Sequence, residues 1–315
     1  MTALPTLTQI RDAAARIAPH AQVTPVRRSD RLDALAGAQL HFKCENLQRG
    51  GAFKFRGACN AVWALDEAAA ARGVVTHSSG NHGNALALAA ATRGIRAHVV
   101  VPEGAVRAKL EAIERAGAVL HRCAPTQAAR EATTAQLVQD TGAVLVHPYA
   151  DTQVMAGQGT IALELLAQVA DLDAIVTPVG GGGLASGVAI AAHALRPELS
   201  LHAAEPSGAD DVARSLARGQ RVTDVVPDTV CDGLRALVGE PNLHALREHR
   251  VDVITVTDEE TIAAMRLLWQ ELKQVVEVSS ATAFAAILKA RERFAGRRVG
   301  VVLTGGNVDL DALPW

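Results

Sequence analysis

The chain has 315 residues and a net charge of −2, enough for a large core but without a basic footprint for nucleic acid or an anionic membrane. Aromatic residues make up only 3%, against 49% hydrophobic residues, which excludes a stacking platform for single strands. The four cysteines, Cys44, Cys59, Cys123 and Cys231, show no paired metal spacing, and no apolar run reaches the roughly 18 residues of a membrane span.

The N-terminal run Met1-Thr2-Ala3-Leu4-Pro5 has no basic region followed by an apolar one, so no secretory leader and a cytoplasmic location are expected. Ile10, Ala13, Ala14 and Ile17 share one face and predict a helix over 8–17, which Thr24-Pro25 separates from the first strand. That strand, at 40–44, leads through Gly50-Gly51 into a helix over 53–65. Strands at 73–76, 97–101, 118–121 and 143–146 then alternate with helices over 81–92, 106–116 and 126–139. After His147-Pro148-Tyr149 come a helix over 154–169, a strand at 174–179, a helix over 184–195 and a strand at 199–204. Residues 221–241 predict helical fragments at best. A strand at 251–256, helices over 258–272 and 281–294, and a strand at 298–303 close the chain. Such alternation implies parallel βαβ units, hence an α/β fold of open, mostly parallel sheets. The expected division is a large domain of 1–68 plus 151–315, with a small α/β domain, 69–150, inserted in it.

Chemistry gathers at glycine-marked strand ends. Lys54 follows the paired glycines, lies between Phe53 and Phe55, and opens a helix. The positive end of the helix dipole and partial desolvation both favour its neutral amine, a nucleophile for aldehydes. Taken singly, the same residues also describe a surface lysine at an ordinary helix start. Gly180-Gly181-Gly182-Gly183 lies between a strand and a helix, where its amides can cradle a phosphate. It lacks both the GxGxxG order and a P-loop lysine, so one phosphate monoester fits better than a pyrophosphate. Ser78-Ser79-Gly80-Asn81-His82-Gly83-Asn84 also opens a helix and reads either as a cup for a carboxylate or as plain capping. Leu303-Thr304-Gly305-Gly306-Asn307 ends the last strand, in the position where open α/β sheets bind ligands. Together, three such strand ends and a ring-flanked lysine point to a small phosphorylated aldehyde.

With these motifs the chain resembles the pyridoxal-phosphate enzymes of the tryptophan-synthase β group, fold type II, and within it the serine/threonine dehydratase and serine racemase family. The matching runs are Lys43-Cys44-Glu45-Asn46-Leu47-Gln48, Phe53-Lys54-Phe55-Arg56-Gly57-Ala58, Ser78 to Gly83, Ala156-Gly157-Gln158-Gly159-Thr160, Val179 to Leu184 and Leu303 to Asp309, in the family's order. The resemblance implies that Lys54 attaches pyridoxal 5'-phosphate, that Phe53 lies against its ring and that Asn81 bonds its phenolic oxygen. It further implies that the amides of Gly180, Gly181, Gly182, Gly183 and Leu184 hold the phosphate and that Thr304 faces the ring nitrogen. Ser78, Ser79 and His82 would contact the substrate carboxylate, with Ser79 also the acid–base group across the ring from Lys54. Glu205-Pro206-Ser207-Gly208-Ala209-Asp210-Asp211 is similar to the family's divalent-cation site, in which Glu205, the Ala209 carbonyl and Asp211 would ligate Mg²⁺, Mn²⁺ or Ca²⁺. Two acids in a helix's first turn give the plainer account of the same residues.

Some positions depart from the family pattern. Ala52 precedes Phe53 where many members have Ser or Thr. Asn84 replaces a frequent Gln, and Glu277-Val278-Ser279-Ser280 replaces Glu-Pro-Ser/Thr-Gly/Ala. Tyr149 stands where dehydratases often carry an aromatic residue and racemases can carry Asn. Arg130 falls where some relatives place a carboxylate-binding arginine. The expected activity is dehydration and deamination of a β-hydroxy amino acid such as L-threonine or L-serine to a 2-oxo acid. Serine racemisation and threo-3-hydroxyaspartate ammonia-lyase activity are the alternatives, and a non-catalytic ligand-binding descendant is the reading from another class. A homodimer with no nucleic-acid or membrane partner is expected from the family.

Overall fold

The computed structural model describes every residue except Met1, Thr2 and Val106, together with the side chain of Ala108. Val106, the expected start of one helix, and the first two residues of the N-terminal run therefore lie outside the described residues; that helix is seen over Arg107–Arg115. Among the described residues ten strands are formed: β1 (Val26–Arg27), β2 (Gln39–Cys44), β3 (Val74–His77), β4 (Ala97–Pro102), β5 (Val119–Cys123), β6 (Val144–Leu145), β7 (Ala174–Pro178), β8 (Ser200–Pro206), β9 (Asp252–Val256) and β10 (Arg298–Leu303). They make two sheets, one of order β1-β2-β10-β7-β8-β9 and one of order β5-β4-β3-β6. All pairings are parallel except β1 with β2.

The last strand of the chain is inserted at the centre of the larger sheet. β10 pairs with β2 through Leu303↔Cys44 and with β7 through Val299↔Ala174. This register brings the turn after Leu303 beside the loop that follows β2, which carries Lys54. β7 and β10 are apolar and almost wholly buried, as expected for parallel strands covered on both faces by helices. Helix Thr152–Gln168 packs on Gly183–Leu195 and on Lys54–Trp63. The approach is close: a Cβ on Gly157 would sit 2.5 Å from the Arg56 carbonyl oxygen, so the Ala156-to-Thr160 motif is first of all a helix crossing.

A group of buried charges anchors that crossing. Arg56 is fully buried, donating from Nε to Glu45 at 2.7 Å and from Nη1 to Glu164 at 2.6 Å. Lys43, equally buried, donates to Glu164 at 2.6 Å and to the Thr24 carbonyl at 2.7 Å. Burial pushes the Glu164 carboxyl up, but the hydrogen bond and charge of Arg56, with those of Lys43, outweigh it and hold the group below its usual range.

Some elements escape the periodicity. Helices Asp30–Ala36, Glu67–Arg72 and Glu240–Glu248 are not predicted because each is too short to repeat a stripe, and Asp211–Arg218 is anticipated only through the acids of its first turn. The helix expected over 281–294 begins earlier, at Val278, and is interrupted at Ala290. Among the described residues no helix is long and apolar enough to cross a membrane. All four cysteines are free and buried.

Removing one partner of a buried ion pair strands the others. Arg56→Met is expected to lower the unfolding free energy by about 3–5 kcal/mol, measured by urea denaturation. The Glu164 contribution in the parent is present above the unfolded carboxylate range and fades as pH falls through its lowered value, so the variant's stability should depend less on acid.

Candidate active site

Three segments meet at Lys54. The Phe53 amide donates to the Thr304 carbonyl at 2.9 Å, and Ala52 forms a bridge with Gly305. The Gly306 amide donates to the Gly51 carbonyl at 2.9 Å. The end of β10 thus holds the lysine loop along its backbone. Lys54 is the first residue of helix Lys54–Trp63, its Nζ lies 5.0 Å from the centre of the Phe53 ring, and it donates to the Pro148 carbonyl at 3.1 Å. Burial pushes its amine down to about 8, against the opposing pull of the Glu277 carboxyl. A lysine in this range supplies neutral amine near neutral pH.

Several helix starts in this region lack a side-chain cap, as do Asp211–Arg218, Glu240–Glu248 and Arg291–Phe294 elsewhere. Thr6, Ser29, Asp66, Thr126, Asp151 and Thr257 each cap a helix N-terminus with a side-chain oxygen. Helices Lys54–Trp63, Asn81–Arg93, Gly183–Leu195 and Val278–Lys289 have no such cap. At Lys54–Trp63 the Phe55 and Arg56 amides already donate to the Ala52 and Phe53 carbonyls, and at Val278–Lys289 the Ser280 amide donates to the Glu277 carbonyl; the first amides of Asn81–Arg93 and Gly183–Leu195 are the ones placed to receive an external anion. At Gly183–Leu195 the N-cap is Gly182, with φ +92°, where an added Cβ would lie 2.7 Å from Asn242 Cβ. A Cβ on Gly181 would lie 2.4 Å from the Tyr149 ring. The loop therefore presents bare backbone, suited to one phosphate. Leu184 is buried directly after it.

Asn242, absent from the sequence expectations, supports this loop from beneath. It is fully buried, donates to the Tyr149 carbonyl at 3.0 Å, and its own carbonyl accepts from Ser186 Oγ at 3.2 Å. Glu277, quoted only within a divergent motif, also belongs to the site. Both of its carboxyl oxygens accept from Asn81 Nδ2, at 2.9 and 3.1 Å. The signal that could have found it is an acid in the apolar run Val275-Val276-Glu277-Val278, a pattern typical of a buried, partnered charge.

Ser78 and Ser79 lie half-buried between β3 and helix Asn81–Arg93, where Ser78 Oγ accepts from the Gly80 amide at 3.4 Å. The His82 imidazole is buried, its Nε2 bonds the Val146 carbonyl at 3.3 Å, and burial holds it neutral. What His82 offers an anion is its backbone amide in the first helical turn. Thr304 is buried at the end of β10. Arg130 is half-buried on helix Gln127–Thr141, its Nε is buried without a partner among the described residues, and its charge acts on His77 and Tyr149.

Two acids, Glu205 and Asp211, form a separate feature. Glu205 ends β8 fully buried, and its two oxygens accept from the Val212 and Ala213 amides at 2.9 Å each. Asp211 opens helix Asp211–Arg218 and accepts from the Val238 amide at 2.8 Å, while Ala209 is buried between the two acids in sequence. Burial pushes Glu205 up to about 8 and Asp211 up to about 6. Among the described residues no cluster of three or more His, Cys, Asp or Glu side chains could hold a metal.

The family model for pyridoxal-phosphate dependent enzymes matches residues 17–305. The β-hydroxyaspartate dehydratase of Paracoccus denitrificans (strain Pd 1222) is 50% identical over 312 residues, covering 99% of this chain and 99% of that protein. The structure of maize serine racemase superposes with a TM-score of 0.96 at 43% identity, covering 98% of this chain and 95% of that one. A threonine deaminase from T.th. superposes with a TM-score of 0.92 at 40% identity, covering 97% of this chain and 99% of that one.

Gly182→Ala is expected to cost about 1–2 kcal/mol from its positive φ alone and to weaken phosphate-ester binding roughly tenfold, measured by urea unfolding and by equilibrium titration.

Proposed function

The chain belongs to the pyridoxal-phosphate-dependent enzymes of fold type II, in the serine/threonine dehydratase and serine racemase family, and from that premise we propose that it removes water and then ammonia from a β-hydroxy amino acid. The observation that carries the reading is the Lys54 amine, lowered to about 8, lying against the Phe53 ring among uncapped helix starts. These residues fit the cofactor: Lys54 would attach it, Phe53 would face its ring and Asn81 its phenolic oxygen. The amides of 180–184 would take its phosphate and Thr304 its ring nitrogen. Pyridoxal phosphate, when bound, supplies a conjugated electron sink next to the substrate's α-carbon.

The chain's own groups do the rest. Free amides at the start of helix Asn81–Arg93, with Ser78 and Ser79, hold the α-carboxylate. Lys54 removes the α-proton as a neutral base. Ser79 gives a proton to the departing β-hydroxyl. The released enamine tautomerises and hydrolyses to a 2-oxo acid and ammonia. Lys54→Ala is expected to abolish both the visible absorption of bound cofactor and turnover; surviving ammonia release would overturn the assignment.

For the side chain we favour a second carboxylate, as in 3-hydroxyaspartate. The partnerless Nε of Arg130 supports this, as does the similarity to a β-hydroxyaspartate dehydratase. Racemisation is the second reading, supported by the likeness to serine racemase, and assays of D-serine against pyruvate from L-serine separate the two. We also propose a divalent cation held by Glu205, the Ala209 carbonyl and Asp211, supported by two buried acids with Ala209 between them in sequence and by the likeness to the family's cation-site motif. The two sheets support the division into 1–68 plus 151–315 and 69–150, and four buried free thiols support a reducing compartment such as the cytoplasm. An ammonia-release screen of serine, threonine and 3-hydroxyaspartate, with and without chelator, tests substrate and cation together. Arg130→Ala is expected to raise KM for 3-hydroxyaspartate about tenfold or more while changing that for serine far less.

A further inference from the structure

Glu277 is a buried acid that acts on Lys54, yet the chemistry above gives it no task. It is 8% exposed. Its amide donates to the Gly305 carbonyl at 2.9 Å, and a Cβ on Gly305 would lie 2.7 Å from Oε1. Its carboxyl is therefore wedged between the turn that follows Thr304 and the helix start that carries Asn81. Both oxygens accept from Asn81 Nδ2, at 2.9 and 3.1 Å. On its other side Asn81 Oδ1 accepts from Asn307 Nδ2 at 2.9 Å, and Asn307 Nδ2 also reaches the Gly50 carbonyl at 2.9 Å.

A primary amide can face either way unless its neighbours choose. Here a carboxylate on one side and a donor on the other permit one orientation. The charged groups around Glu277 are Lys54 on its helix, Lys109 on helix Arg107–Arg115 and Asp232 in the turn Asp232–Leu234. Lys109 and Asp232 are paired with each other, while the Gly305 turn that touches Glu277 also bridges Ala52, two residues before Lys54, which places the carboxyl beside the lysine loop.

We propose that Glu277 is a positioning residue that fixes the direction of the Asn81 amide at the cofactor ring and retains the proton on Lys54. The proposal rests on Lys54 as the attachment point and is independent of which amino acid is the substrate. Burial pushes Glu277 up to about 7, so the carboxyl changes charge just below the range in which Lys54 does. Attachment of the aldehyde needs neutral Lys54 and so rises as pH rises through its pKa. An ionised Glu277 opposes that loss of proton; an uncharged amide in its place does not. The Glu277→Gln variant should therefore attach the cofactor at lower pH while holding it less tightly, because Gln offers the Asn81 amide nitrogen one acceptor oxygen where Glu offers two.

The test is titration of the full-length chain, freed of cofactor, with pyridoxal 5'-phosphate across about pH 6–9, following the visible band. In Glu277→Gln the midpoint of attachment is expected to fall by roughly one unit, and the dissociation constant to rise about tenfold. An unchanged midpoint overturns the proposal. If Glu277→Gln fails to fold, as its melting curve will report, Glu277→Asp replaces it: with the charge kept, the parental midpoint should be retained and affinity reduced. A midpoint that moves downward in Glu277→Asp overturns the proposal as well. Because the readout is cofactor attachment, failure of the dehydratase reading would leave this result unaffected.

Discussion

A guanidinium with no exposure to water decides where Lys54 points. Arg56 and Lys54 stand two residues apart on one helix, and so project to faces roughly 200° apart. Glu45 and Glu164 hold Arg56 inward, and that fixes the rotation of the helix about its own axis. Lys54 must then face the opposite way, towards Pro148 and the Phe53 ring. A buried ion pair is weak evidence for net stability, because desolvation offsets most of its Coulomb energy. Its value here is geometric: no other rotation of the helix satisfies all four charges of the Lys43, Glu45, Arg56 and Glu164 group.

The same physics, desolvation, sets the chemistry on the other side of that helix. Burial penalises whichever form is charged, so it lowers Lys54 and raises Glu277 towards one another. Two groups that would be far apart in water become comparable in proton affinity. Burial also accounts for the neutral His82, whose ring bonds the crossover segment rather than the serines. Positive character near the lysine comes instead from backbone: the starts of helices Asn81–Arg93 and Gly183–Leu195 carry no side-chain cap. This arrangement leaves stability unclaimed at each of those ends, a cost of about 1 kcal/mol per missing cap, and makes it available to an anionic ligand.

Much of the site was legible along the chain because its parts are local. Strand, glycine turn and helix start are consecutive residues, so the lysine motif, the Gly180 loop, the Ser78 loop and the Thr304 turn each announce themselves by spacing. The short helices at Asp30–Ala36 and Glu67–Arg72 were not legible, since one or two turns carry no measurable period. Asn242 and Glu277 were hidden for another reason. Each acts on a partner far away in sequence, Asn242 on Tyr149 and Glu277 on Asn81, and nothing in their own neighbours names that partner. The Glu205 and Asp211 pair was visible as acids near a helix start, and both accounts of it rest on that one pattern.

The sequence by itself determined the α/β class and the alternation of most strands and helices along the chain, because period and turn chemistry are read residue by residue. It also placed the glycine loop between a strand and a helix, without the GxGxxG order of a dinucleotide site. Only the tertiary structure decided that β10 enters between β2 and β7, which joins the Thr304 turn to the Lys54 loop across most of the chain's length. It decided that His82 faces inward, that Asn81 is held by Glu277 and Asn307, and that Lys54 is desolvated enough to act as a neutral amine. Those facts depend on burial and on contacts between distant segments, and both quantities exist only once the sheets and helices have closed around one another.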